Sequence, residues 1–303
     1  MIRESQIPPP ESDAIDPEQV GDPHQPGWPP GHFYSPVPLI SEIRKREAEL
    51  FGVPPEVQGI DLHIPEQLEL FDELKRYYGQ QPFGAEKTDG LAYYFDNGFF
   101  SYADAITLHT MIRHLAPRRI VEVGSGFSSC VTVDTNRLFF GNAIQCTFIE
   151  PYPDVINTLL PESDRKGVAI IRQKVQKVDL EIFRQLQAGD ILFIDSTHVS
   201  KIGSDVNRLI LDVLPILDVG VFIHFHDIFY PFEYPKSWIY EGRAWNEAYV
   251  LRAFLQFNSQ FQIVYFLDYL ERFHKPKFEL EMPLCLKNTG ASFWIKKSSP
   301  GSG

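Results

Sequence analysis

The sequence predicts a doubly wound α/β fold, a seven-stranded and mostly parallel sheet with helices on both faces. Three observations carry that expectation. Short apolar runs alternate with helical patterns five times between residues 119 and 257. The first run, Arg119-Ile120-Val121-Glu122-Val123, ends on two glycines one residue apart, Gly124 and Gly126, and then on a small, polar helix start. Two last apolar runs, read as strands joined by a loop rather than a helix, suit an antiparallel hairpin at the sheet edge.

The elements follow in order. Residues 1–30 hold eight prolines and little apolar periodicity, so they read as a disordered, proline-rich tail. Residues 31–96 read as an N-terminal helical cap. Gly31–Pro38 mixes aromatics with prolines, while Leu39–Phe51 and Ile64–Tyr78 show helical spacing. Ser101–Leu115 is an expected helix, with Ala105, Leu108, Met111, Ile112 and Leu115 on one face and Pro117 ending it. Strand Arg119–Val123 then leads to helix Ser128–Phe139, and strand Ile144–Ile149 to helix Asp154–Leu160. Strand Val168–Arg172 leads to helix Leu180–Gln187, and strand Ile191–Ile194 to helix Ser204–Leu214. Strand Gly220–Phe225 leads, after a long loop, to helix Ala244–Phe257. Phe261–Phe266 and Ala291–Lys296 close the sheet, so residues 97–297 form the expected main domain and 298–303 a flexible tail.

Composition narrows the function classes. The chain of 303 residues is 44% hydrophobic and 14% aromatic, enough for a large core. A net charge of −12 with no dense Lys/Arg cluster argues against nucleic acid as a partner. Cys130, Cys146 and Cys285 are too scattered for a disulfide framework or a cysteine zinc site. Buried reduced thiols point to a cytoplasmic protein. No apolar stretch reaches the length of a membrane span, and the acidic start is no signal peptide.

The glycine turn is the most specific feature. Gly124 and Gly126 let the backbone turn sharply and come close to a ligand at a strand's carboxyl end. Glu122 stands two residues before the first glycine, where dinucleotide-binding loops carry apolar residues, and Ser129 stands where those loops place a third glycine. The stretch Glu122-Val-Gly124-Ser125-Gly126 resembles motif I of the class I S-adenosylmethionine (SAM) dependent methyltransferases. The resemblance covers residues 97–297 and implies SAM as cofactor, bound by Glu122, Gly124, Ser125 and Gly126. It implies that Glu122 neutralises the methionine ammonium. Glu150 ends the second strand, where an acid accepts the ribose hydroxyls. Gln176, after the third strand, is a candidate for the adenine edge, and Asp195 completes the rim. An NAD-dependent Rossmann oxidoreductase and a non-catalytic SAM-binding module are the alternatives.

The chemical residues come from two distant pieces, Asp195-Ser196-Thr197-His198 and His224-Phe225-His226-Asp227. Asp195, His198, His226 and Asp227 fall just past adjacent strand ends and are expected to face one pocket. His224 and His226 share a strand face, with His224 deeper. This pattern resembles the methyltransferase-24 families found beside glycosyltransferases and the macrocin-type sugar O-methyltransferases. That likeness implies a divalent metal, Mg2+ or similar, on Asp195 and Asp227, with His198 as base. His226 stands where those families carry an acid, so it is either a third ligand for a softer ion or a second proton handler. The expected reaction is methyl transfer to a hydroxyl of a small molecule, a sugar or glycosylated metabolite. Tyr34, Tyr230, Trp238 and Trp245 are the expected aromatic wall of the substrate pocket.

Overall fold

The computed structural model of the chain describes residues 28–299. The other parts of the expected tails lie outside the described residues. The seven strands are β1 (Arg119–Val123), β2 (Gln145–Ile149), β3 (Ala169–Ile171), β4 (Ile191–Ile194), β5 (Phe222–Phe225), β6 (Phe261–Phe266) and β7 (Phe293–Lys297). They form one sheet in the order β3-β2-β1-β4-β5-β7-β6. β3, β2, β1, β4 and β5 run parallel, and β7 lies antiparallel between β5 and β6. The class I methyltransferase layout expected from the alternation is therefore the one observed.

The central strands are apolar because both of their faces are covered. All four residues of β4 are buried, as are Ile120, Val121 and Val123 of β1. Glu122 is the one acid on β1, and it is fully buried. The strand starts are tied by Asp190, whose carboxylate accepts the amides of Arg118 (3.0 Å), Arg119 (2.9 Å) and Gln187 (2.9 Å).

The chain divides into two units, residues 54–233 with 245–299, and residues 28–53 with 234–244. The Ile64–Tyr78 helix belongs to the first, in which Phe71 and Leu74 are buried and Gln67 accepts the amide of Phe266 at 2.7 Å. In the smaller unit the expected Leu39–Phe51 helix is two short ones, Ile40–Lys45 and Glu47–Leu50, interrupted at Arg46 (φ −119°). Glu47 accepts bonds from Lys236 (2.8 Å) and from the Tyr240 hydroxyl, which joins the unit's two chain segments.

Three further elements differ from expectation. The Ser204–Leu214 helix begins at Asp205–Asn207, widens to π-type turns over Arg208–Val213 and tightens at Leu214–Ile216, where Pro215 has no amide to give. The Ala244–Phe257 helix shortens to Glu247–Leu255. The link between β6 and β7 is helical, through Leu267–Phe273 and Lys275–Glu281, not the plain loop expected of a hairpin. Its apolar residues Leu267, Leu270, Phe278, Met282 and Cys285 recur at helical spacing and are buried.

Candidate active site

The sheet register sets four residues in a row. Val123 pairs with Ile149 on one side and Ile194 on the other, and Ile194 pairs with Phe225. The residues that follow, Glu150, Gly124, Asp195 and His226, therefore stand level at neighbouring strand tips. Their backbone amides continue the ladder: Gly124 donates to Ile149, Asp195 to Val123, and His226 to Ile194. This is the carboxyl edge of the sheet where strand order reverses, the usual ligand crevice of such folds.

Gly124 has φ +86°, and a Cβ there would lie 2.4 Å from the Asp195 carbonyl oxygen. Only glycine fits. At Gly126 a Cβ would meet nothing within 4 Å, so the turn opens onto free space. Ser129, in the place of a third glycine, has a use for its hydroxyl. It accepts the Gly126 amide (3.1 Å) and donates to Glu122 Oε1 (2.9 Å). Ser128 Oγ donates to the same oxygen at 2.6 Å. Glu122 Oε2 has no partner among the described residues, and burial pushes this carboxyl up to about 8. A buried carboxylate oxygen without a donor, beside an open glycine turn, fits a cationic amine such as the methionine end of SAM. Glu150 accepts the amides of Ser125 (3.2 Å) and Tyr152 (2.8 Å), and burial raises it from its usual range. Gln176 donates to the Gly203 carbonyl at 3.0 Å, in the loop beyond β4.

On the other side of the row the four expected chemical residues come together. His198 Nε2 lies 3.5 Å from Asp195 Oδ1 and 3.6 Å from Asp227 Oδ2. His226 Nδ1 lies 3.6 Å from Asp195 Oδ1 and 3.7 Å from Asp227 Oδ1. Burial alone would lower both imidazoles, but the carboxylates outweigh it. His198 is pushed up to about 10 by Asp195 and Glu247, and His226 to about 10 by Asp227 and Asp195. Burial would raise Asp195, yet the two imidazoles hold it well below the carboxylate range, while Asp227 stays raised by burial. His198 (φ +59°) and Asp227 (φ +61°) both occupy the left-handed region. Non-glycine residues held there mark strain that the surroundings must maintain, and such strain gathers at functional sites. His224 is different. It stacks on Phe193 at 4.0 Å, and neither ring nitrogen has a partner among the described residues. Burial holds it well below its usual value, a neutral core ring.

Sequence reasoning missed one residue of this cluster. Glu247 is 1% exposed in its side chain, and its Oε2 lies 2.8 Å from His198 Nδ1. It is 49 residues from His198 in the chain, and no local motif links the two. The only sequence signal was an acid at a helix start. The aromatic wall is also only partly as expected. Trp245 lies with its ring 4.3 Å from that of His198. Tyr230 is 2% exposed, packs against Tyr269 at 4.9 Å and donates its hydroxyl to the Pro54 carbonyl. Its ring and hydroxyl are taken up by packing, so it is not part of an open wall. Tyr34 and Trp238 belong to the smaller unit. Tyr34 sits tilted in an exposed aromatic cluster with Trp28, His32 and Phe33, and the Arg243 guanidinium covers Trp238 at 4.4 Å.

The metal implied by the resemblance does not fit this arrangement. Among the described residues no three His, Cys, Asp or Glu side chains are disposed to hold an ion. The carboxylates that would ligate it, Asp195 and Asp227, each lie 3.5–3.7 Å from the imidazole nitrogens of His198 and His226.

The SAH-bound methyltransferase PaMTH1 of Podospora anserina aligns over 88% of this chain and 99% of its own, at 14% identity and a TM-score of 0.41. The SAM-bound O-methyltransferase TomG of Streptomyces achromogenes aligns over 85% of this chain and 96% of its own, at 12% identity and a TM-score of 0.43. In sequence, an uncharacterized protein of Archaeoglobus fulgidus is 40% identical over 174 residues, which cover 54% of this chain and 76% of that protein. The family model described as a methyltransferase domain matches residues 121–228, from the middle of β1 through the glycine turn to Ile228 beyond Asp227. By that match residues 121–228 carry a methyltransferase domain, set within the sheet order and glycine turn described above.

Proposed function

We propose that the chain transfers a methyl group from SAM to a hydroxyl oxygen of a small molecule, a sugar or glycosylated metabolite, without a metal ion. The observation that carries the reading is the pairing of an open glycine turn, beside an acid with one unpartnered oxygen, with a cluster of two imidazoles and two carboxylates at the next strand tips. Bound SAM would supply an electrophilic methyl group on a cationic sulfur. The chain's own residues have three tasks. Glu122 and Glu150 bind the two ends of the cofactor, at the amine and the ribose. Asp195, between them and His226, marks the place where cofactor and acceptor meet. His198 takes the hydroxyl proton at Nε2 as the C–O bond forms and the C–S bond breaks. Trp245, against His198, offers an aromatic face to a sugar ring.

The acid at Glu122 and the serine at 129 count against the dinucleotide alternative. Titration calorimetry should give SAM and S-adenosylhomocysteine binding, with no competition from NAD. A metabolite extract incubated with isotopically methyl-labelled SAM should yield a labelled O-methyl product by mass spectrometry, at an undiminished rate after exhaustive chelation. Absence of SAM binding would end the proposal, and loss of turnover on chelation would end its metal-free part.

A further inference from the structure

We infer that Glu247 is the positioning residue of His198, fixing through Nδ1 which imidazole nitrogen faces the acceptor. The inference rests on the reading of His198 as base. Glu247 opens the Glu247–Leu255 helix, and its two oxygens are divided between partners. Oε2 meets His198 Nδ1 at 2.8 Å, and Oε1 accepts the Ser196 hydroxyl at 2.8 Å. That hydroxyl in turn accepts the His198 amide at 2.9 Å. The His198 carbonyl accepts the amides of Asn246 (3.0 Å) and Glu247 (3.1 Å). Backbone and ring of one residue are thus held from the same helix start.

This clamp explains two costly features together. A left-handed φ at a non-glycine residue is strained and persists only where neighbours enforce it. A carboxylate buried to 1% needs strong partners, and an imidazole N–H is one. With Nδ1–H donated to Glu247, the nitrogen left to accept a proton is Nε2. Nε2 is the atom that faces Asp195 and Asp227, which come from the tips of β4 and β5 beside His226, and the Trp245 ring lies against the imidazole. Exchanging the tautomer would aim the basic lone pair at Glu247, away from the strand tips.

The alternative is that Glu247 only anchors a loop. A mutant cycle over Glu247→Gln, His198→Ala and the double variant separates the two. Glu247→Gln should lower kcat by on the order of 10- to 100-fold, leave KM for SAM within about twofold, and cost nothing further in the His198→Ala background. Glu247→Asp should recover part of the rate. In 15N spectra of the deprotonated ring, His198 should be the Nδ1–H tautomer in the native chain and a mixture in Glu247→Gln. An unchanged kcat in Glu247→Gln, an equal further loss in the His198→Ala background, or a native His198 carrying its proton on Nε2 would overturn the inference. If His198→Ala alone keeps full activity, the base reading has failed, and the tautomer in the two spectra still decides whether Glu247 positions the ring.

Discussion

At the scale of single residues, the site is held in a charge state that pH should move in a defined direction. Glu122 is raised from near 4.5 to about 8 in the folded chain. The fold therefore favours its protonated form, and the stability this contributes is full below pH 4.5 and lost as pH rises through about 8. Glu122→Gln should remove that loss. Its Tm should exceed that of the native chain above pH 8 by on the order of 2 °C or more in a thermal melt, while SAM affinity falls. His198, raised to about 10, behaves alike in stability, with its contribution full below pH 6.5 and lost through pH 10. In catalysis the sign is opposite, because only the neutral ring accepts a proton. kcat should climb with pH well beyond 7, and this slope should vanish in His198→Ala. Gly124→Ala offers a steric counterpart, since its Cβ would fall 2.4 Å from the Asp195 carbonyl. SAM binding should weaken by at least tenfold in calorimetry and stability by about 1–3 kcal/mol.

At the scale of elements, the strand tips work because the strand starts are fixed. Asp190 holds three amides at the opposite end of β1 and β4. Asp190→Ala would remove the acceptor of these three part-buried bonds, and should cost about 1–3 kcal/mol in denaturant unfolding. This architecture was legible in the sequence because the parallel strands are continuous apolar runs between turn signals. Three strands, β1, β4 and β6, have the expected bounds, and the other four differ by one or two residues at their ends. The meeting of Gly124, Glu150, Asp195, His198, His226 and Asp227 at the carboxyl edge of the sheet was legible because each follows the end of a strand. Glu247 was not, since its partner is 49 residues away and their meeting depends on how a helix start packs. The helices between β6 and β7 were hidden for another reason. Their apolar spacing begins directly after β6, at Leu267, with no turn residue to mark the change of period.

At the scale of the whole molecule, ligand binding and folding are linked. A ligand that binds only the native chain stabilises it by about 2.7 kcal/mol at a hundredfold excess over Kd. SAM or S-adenosylhomocysteine should accordingly raise the Tm by several degrees, and NAD should leave it unchanged. An equal shift with NAD would restore the dinucleotide reading. Charge acts at this scale too. A net charge of −12 works against polyanionic partners, which supports the proposal of a small-molecule acceptor. No helix among the described residues is long and apolar enough to cross a membrane.

The level row from Glu150 through Gly124 and Asp195 to His226 also acts as a ruler. Neighbouring strands lie about 4.8 Å apart, so three spacings give a span of roughly 14 Å from Glu150 to His226. Its graduations are set by hydrogen-bond register, not by loop length. Insertions in the loops beyond the tips leave the scale intact and can recruit new acceptors. A single residue gained or lost within β1, β4 or β5 would move one mark off the line and turn its side chain to the opposite face of the sheet. Variation among descendants of this chain should then accumulate after the tips and be purged before them.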